Sequence, residues 1–153
     1  LHGMLGNADA PKDLADVSDV SEFSALDGII CGIPTWNTGA DSERSGTAWD
    51  SMLEDIGGLS LSGKKVAIFG LGDSSTYTEN FCDAMEELHS YFQKAGASMV
   101  GYVGKDTYTF EESKSVIGNS FCGLPLDEDS ESDMTDERLE NWANQLKSEM
   151  PGL

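Results

Sequence analysis

Gly28-Ile29-Ile30-Cys31-Gly32-Ile33-Pro34 is an apolar run without polar alternation, preceded by Asp27 and followed by a polar, glycine-containing loop. A strand with one wet face alternates apolar and polar residues; one covered on both faces does not, so this run reads as a parallel strand. Val66-Ala67-Ile68-Phe69-Gly70, after Lys64-Lys65, repeats the pattern, and Ser98-Met99-Val100-Gly101-Tyr102-Val103 is a third strand. Helical spacing fills the intervals. Trp49, Met52, Leu53 and Ile56 form one stripe closed by Gly57-Gly58, and residues 81–95 carry Phe81, Met85, Leu88 and Phe92 on another, with Gly96 just past the end. A polar stretch, 104–119, precedes Phe121-Cys122-Gly123-Leu124-Pro125-Leu126. Thr135 is then a candidate N-cap for a last helix bearing Leu139, Trp142 and Leu146. Strands alternating with helices predict an α/β domain: an open, mostly parallel sheet with helices on both faces.

Composition bounds the rest. A chain of 153 residues with 39% apolar content is sized for one core, so residues 1–153 read as a single domain. The 28 acidic against 9 basic residues give a formal net charge of −19, which repels nucleic-acid phosphates and anionic lipid and favours a partner with a basic face. No apolar run approaches the roughly 20 residues that span a bilayer. Cys31, Cys82 and Cys122 are odd in number and widely spaced, which points to a reducing compartment rather than a disulfide framework. Cys82, near a helix start, is either a thiol of lowered pKa or a packed, inert one. His2 and His89 are isolated, so neither a metal nor an acid–base role is expected, and His89 is placed on a helix surface. Residues 127–133 read as a solvated acidic linker. Residues 1–6 read as the last turn of a helix capped at Gly6-Asn7, so the chain begins mid-element.

In open α/β sheets ligands bind beyond the carboxyl ends of the strands. The first such loop is Pro34-Thr35-Trp36-Asn37-Thr38-Gly39-Ala40-Asp41, and the second is Gly70-Leu71-Gly72-Asp73-Ser74-Ser75-Thr76-Tyr77. Each sets a large aromatic beside glycines. Trp36 and Tyr77 either sandwich a flat ring, with loop amides and Asn37 on its polar edge, or pack their loops onto the sheet. A phosphate cradle at the second loop is disfavoured, because Asp73 repels phosphate and no Gly-Lys-Ser/Thr follows.

The first loop, continuing through Arg44-Ser45-Gly46-Thr47-Ala48-Trp49-Asp50, resembles the tryptophan loop of long-chain flavodoxins of the algal type. Phe69-Gly70-Leu71-Gly72-Asp73, with Tyr77 and Asn80-Phe81-Cys82-Asp83-Ala84, resembles their second flavin loop. Glu111-Glu112-Ser113-Lys114-Ser115 and Gly123-Leu124-Pro125-Leu126-Asp127 extend the likeness, and the interval between Tyr102 and Phe121 matches the insertion into the last strand that marks the long-chain class. The resemblance implies a flavodoxin-like sheet and FMN held by Thr35, Trp36, Asn37, Thr38 and Gly39 of the first loop. From the second it implies Gly70, Leu71, Gly72, Asp73, Tyr77, Asn80, Phe81 and Cys82. Trp36 would cover one face of the isoalloxazine and Tyr77 the other. The Asn37–Thr38 peptide would turn its carbonyl toward flavin N5 on reduction, and backbone groups of Gly72 and Asp73 would bind the pyrimidine edge. A carboxylate at about 10 Å costs the reduced, anionic flavin on the order of 1.7 kcal/mol at an effective dielectric near 20. Asp41, Glu43, Asp73 and Glu79 are the candidates for that effect.

Flavodoxins open with a strand and a phosphate loop of the form Thr-x-Thr-Gly-Asn-Thr, and residues 1–153 contain neither. With 13–17 as the outer second strand, the sheet is expected to lack its first strand, leaving an unpaired edge and an open core face. The resemblance implies a low-potential one-electron carrier, not an enzyme. It would replace ferredoxin between the acceptor-side subunits of photosystem I and ferredoxin–NADP reductase, in the chloroplast stroma near the thylakoid surface or in a bacterial cytoplasm. The alternative is a flavodoxin-fold structural subunit of a large photosystem complex without FMN.

Overall fold

The computed structural model describes residues 1–153. β1 (Gly28–Pro34) and β2 (Lys65–Leu71) pair in parallel along their whole length, Gly28 opposite Lys65 and Pro34 opposite Leu71. On its far side β2 meets two short strands in succession, β3 (Ser98–Val100) beside residues 65–67 and β7 (Leu124–Leu126) beside residues 69–71. Between these pieces the chain builds a small antiparallel sheet from β4 (Val103–Gly104), β5 (Val116–Ile117) and β6 (Ser120–Phe121), in the order β4-β6-β5.

The helices lie on both faces, as the two apolar clusters show. Ile29, Cys31 and Ile33 of β1 and Val66 and Ile68 of β2 pack with α1 (Trp49–Gly57) and α2 (Ala84–Lys94). Ala67, between Val66 and Ile68, points the other way and packs with Leu124, Leu126 and the Trp142, Leu146 and Met150 side of α3 (Thr135–Glu149). A parallel sheet buried on both faces is what uninterrupted apolar runs produce. Ile56, Phe92, Leu88 and Leu146 are fully buried, each stabilising the fold by about 1.5–3 kcal/mol relative to exposure. No helix is long and apolar enough to cross a membrane.

Several sequence expectations need correction. The strand expected over 98–103 stops at Val100, because Gly101 adopts φ +79. Its carbonyl accepts the Trp142 indole N–H at 2.9 Å and its own amide donates to Glu149, so α3 takes the groups a strand would pair. Residues 13–17 form a 3-10 turn, Leu14–Asp16, rather than a strand: the Asp13 carboxylate captures the Ala15 amide at 2.9 Å and bends the backbone. Residues 1–6 hold a single 3-10 turn, His2–Met4, instead of the end of an α-helix. The helix expected from residue 81 begins at Ala84, since Cys82 has φ +53 and cannot be helical. Thr135 is the first helical residue and not a cap, and its hydroxyl is buried without a protein partner.

β1 ends the sheet, and along it only a side chain intervenes, the Trp49 indole donating to the Gly32 carbonyl at 2.9 Å. A groove of about 820 Å³ runs beside this edge, lined by residues 7–12, Phe23, β1 and Met150.

Candidate functional site

The β1–β2 pairing carries both loops to one end of the sheet, since Pro34 and Leu71 are partners in register and Thr35 continues the ladder by donating to the Leu71 carbonyl at 3.1 Å. Thr35 is also tied to α2: its hydroxyl accepts the Ala84 amide at 3.1 Å, an N-terminal helix donor that would otherwise be orphaned. Loop 35–46 then closes on itself, with Trp36 N–H on the Ser45 carbonyl and Asn37 N–H on the Arg44 carbonyl. Gly46, at φ +66, lies under this turn; a Cβ there would come 3.3 Å from that of Trp36. Thr38 folds back to donate to the Thr35 carbonyl, and Gly39 supplies φ +83 at the tip.

For the aromatic pair the structure adds exposure. Trp36 is 74% and Tyr77 49% exposed, and neither stacks on another aromatic side chain. Both leave much of their surface in water and, with Leu71, 39% exposed, make up an apolar lip at the carboxyl ends of β1 and β2. Leaving two large aromatics in water forgoes burial of their apolar area.

The second loop is held from the opposite side of the sheet. Asp127, expected in a solvated linker, is fully buried at the end of β7. Its carboxylate accepts the Ser74 amide and hydroxyl and the Ser130 amide, which joins the loop after β2 to the loop after β7. The Ser130 hydroxyl in turn donates to Asp73 at 2.7 Å. Asp73 also accepts the Ser75 and Thr76 amides, and these bonds, Ser130 foremost and Thr76 next, hold its carboxyl down to about 2. Asp73 is therefore a fixed anion next to the lip.

Other expected residues are placed less directly. The Gly72 amide is engaged by the Leu126 carbonyl, leaving the Asp73 backbone as the nearer donor, and the absence of a Gly72 side chain lets Cys82 Sγ approach to 2.8 Å of where a Cβ would stand. Gly70 packs under Met85. Phe81 and Cys82 are wholly buried, with their carbonyls taken by Ser113 and Ser115, so they buttress the second loop from within. Phe81 packs against Tyr108, Phe110 and Phe121 of the inserted segment. The Cys82 thiol is pushed up by burial and then by the Asp127 and Asp83 charges, which settles the open alternative in favour of an inert thiol. Asn80 lies farther out, on a cavity of about 560 Å³ with Glu79, Lys105 and Lys114. His89 is buried rather than on a helix surface, its Nε2 2.6 Å from the Tyr102 hydroxyl.

Sequence reasoning missed Asp127, Ser130, Arg44 and Glu87 as contributors. Asp127 carried one usable signal, an acid directly after a buried strand with a serine three residues on, the spacing of a side-chain-capped turn. Glu87 carried none, standing among Glu86 and other polar residues of a surface helix. The larger groove, beside β1, touches neither loop, so volume is a poor guide here and the exposed aromatic pair is the better one.

The sequence pattern of the family described as flavodoxin matches residues 1–142. Flavodoxin of Synechococcus elongatus is 42% identical over 139 residues, 90% of this chain and 79% of that protein. Flavodoxin 1 of Escherichia coli K12 is 37% identical over 145 residues, 91% of this chain and 80% of its own length. The crystal structure of Fusobacterium nucleatum flavodoxin bound to flavin mononucleotide superposes with a TM-score of 0.76 at 28% identity, over 85% of this chain and 75% of that one. The sheet order, the two loops at its carboxyl end and these likenesses agree, and the chain belongs to the flavodoxin family.

Proposed function

We propose that this protein is an FMN-dependent, low-potential one-electron carrier, an electron-transfer protein and not an enzyme. The observation that carries the reading is the pair of exposed aromatics, Trp36 and Tyr77, on adjacent loops at the carboxyl ends of paired strands. They fit the ring of a flavin. The contacts assigned here are those to the ring.

When bound, FMN supplies the one-electron couple. Trp36 and Tyr77 would cover the ring faces and exclude water, while Thr35, Thr38 and Gly39 would shape the first loop around it. The Asn37 carbonyl accepts the Ala40 amide at 3.2 Å, so turning that peptide toward the ring gives up one hydrogen bond. The Asp73 amide would be offered to the polar edge, with Gly70, Leu71 and Gly72 shaping the loop, Phe81 and Cys82 buttressing it from within and Asn80 lying farther out. The Asp73 carboxylate, ionised down to about pH 2, opposes added negative charge and pulls the potential down.

The net charge of −19 suits brief docking on a basic face. The acceptor-side subunits of photosystem I and ferredoxin–NADP reductase are the partners we propose. The setting proposed with them is the chloroplast stroma at the thylakoid surface, or the cytoplasm in a bacterium. The exposed rings favour this reading over a structural subunit without flavin. Spectroelectrochemistry of the FMN-loaded chain tests it: two resolved one-electron steps are expected, the second below that of free FMN. A single wave at the potential of free FMN would contradict the assignment.

A further inference from the structure

Loop 35–46 contains no helix or strand, and its largest side chain, Trp36, faces water, so the loop gains little from apolar packing. Its shape is imposed from α2. The Glu87 carboxylate accepts two consecutive backbone amides, Glu43 N–H at 2.8 Å on Oε2 and Arg44 N–H at 3.0 Å on Oε1. Glu87 is only 9% exposed, and Glu43 sits at φ +54, a left-handed conformation that is unfavourable for a side-chain-bearing residue. Such a turn points successive N–H groups at one spot, which an anion fills. Arg44 locks the same turn: Nη1 bonds Glu86 at 2.7 Å and the Asp83 carbonyl, and Nη2 bonds the Asp41 carbonyl. The clamped residues then hold the first loop, because the Glu43 carbonyl accepts the Asn37 side-chain amide, the Arg44 carbonyl the Asn37 backbone amide and the Ser45 carbonyl the Trp36 amide.

We infer that Glu87 is a positioning residue: lying outside the aromatic slot, it presets Trp36 and Asn37 for the flavin by clamping the backbone of residues 43–44. This rests on the flavin reading above. Apparent affinity falls in proportion to the fraction of molecules whose loop is already in the binding arrangement. Glu87→Gln replaces one acceptor oxygen by an amide donor facing an N–H, which leaves that amide unpaired and releases the loop.

The test compares the wild-type chain, Glu87→Gln and the remote Glu140→Gln by FMN titration, by visible-region circular dichroism at saturating FMN, and by amide hydrogen exchange without flavin. Glu87→Gln is expected to weaken FMN binding about tenfold, the scale of one lost charge-assisted hydrogen bond. It should also alter the circular dichroism of the bound flavin and speed exchange at Glu43 and Arg44, while Glu140→Gln changes none of these. A folded Glu87→Gln chain with wild-type affinity and exchange overturns the inference while the flavin reading stands. If that variant does not fold, wild-type exchange decides: Glu43 and Arg44 amides protected well beyond those of Asp41 and Ser42 support the clamp, and equal exchange overturns it. A wild-type chain that binds no flavin instead sinks the flavin reading, and the role of Glu87 in affinity with it.

Discussion

At the scale of single residues, His89 gives a pH dependence with a definite sign. Burial lowers its pKa from 6.5, with the Glu86 charge opposing, so the folded protein keeps the imidazole neutral against Tyr102 while the unfolded chain protonates it near 6.5. The unfolded state then binds more protons, and stability falls as pH drops through that range. Urea unfolding between pH 7.5 and 5.5 should show this loss in the wild type and a flatter profile in His89→Gln; parallel profiles would refute it. Asp73 works in the same sense at lower pH: its depressed pKa contributes stability above 3.8 that is lost as pH falls from there through about 2. Trp36 was legible in the sequence as an aromatic just after a strand and Tyr77 as one in the loop after the next, and their exposure supports the ligand reading proposed above. Glu87 and His89 were not legible, because a buried polar residue on a helix has the same local sequence as a solvated one and only its distant partners differ; Asp127 left only the hint of its serine three residues on.

At the scale of elements, the split last strand of the parallel sheet is the sharpest case. The runs 98–103 and 121–126 read as continuous, yet each is divided between two sheets, at Gly101 by the indole of Trp142 and at Gly123 by the backbone of β2. A Cβ on Gly123 would stand 2.1 Å from the Ile68 carbonyl oxygen, a backbone atom that cannot yield. A Cβ on Gly70 would meet Met85 at 2.5 Å, the flexible end of an adaptable side chain. Gly123→Ala should therefore destabilise by about 3 kcal/mol or more and Gly70→Ala by about 1 kcal/mol, read from denaturation midpoints. Similar costs for the two would show that β7 can shift away from β2. The periodic elements, β1, α1, β2 and α3, were legible because burial on fixed faces writes itself into spacing. The breaks were not, since each is caused by contact with a residue far along the chain.

For the whole molecule, charge and the flavin site are the governing features. A net charge of −19 should make encounter with a basic redox partner fast at low salt, slowing as the screening length falls from about 30 Å at 0.01 M to about 8 Å at 0.15 M. Neutralising Asp41, Glu43 and Glu79, near the two loops, should lower the association rate and flatten its salt dependence, whereas Glu140→Gln should do little; stopped-flow rates indifferent to salt and to these changes would remove electrostatic docking. The α/β class and the place of the site were legible because alternating buried runs and helices admit few arrangements, and ligands in them gather at strand carboxyl ends. The central claim, that Trp36 and Tyr77 form a flavin-ring slot, is tested most directly by titrating riboflavin and FMN separately with this chain and with Trp36→Ala, following flavin fluorescence. Quenching to saturation at one flavin per chain is predicted, with about tenfold weaker binding in Trp36→Ala, the scale of lost stacking and burial at one aromatic. Flavin that keeps its full fluorescence in excess chain, or quenching that is identical in Trp36→Ala, would contradict the account.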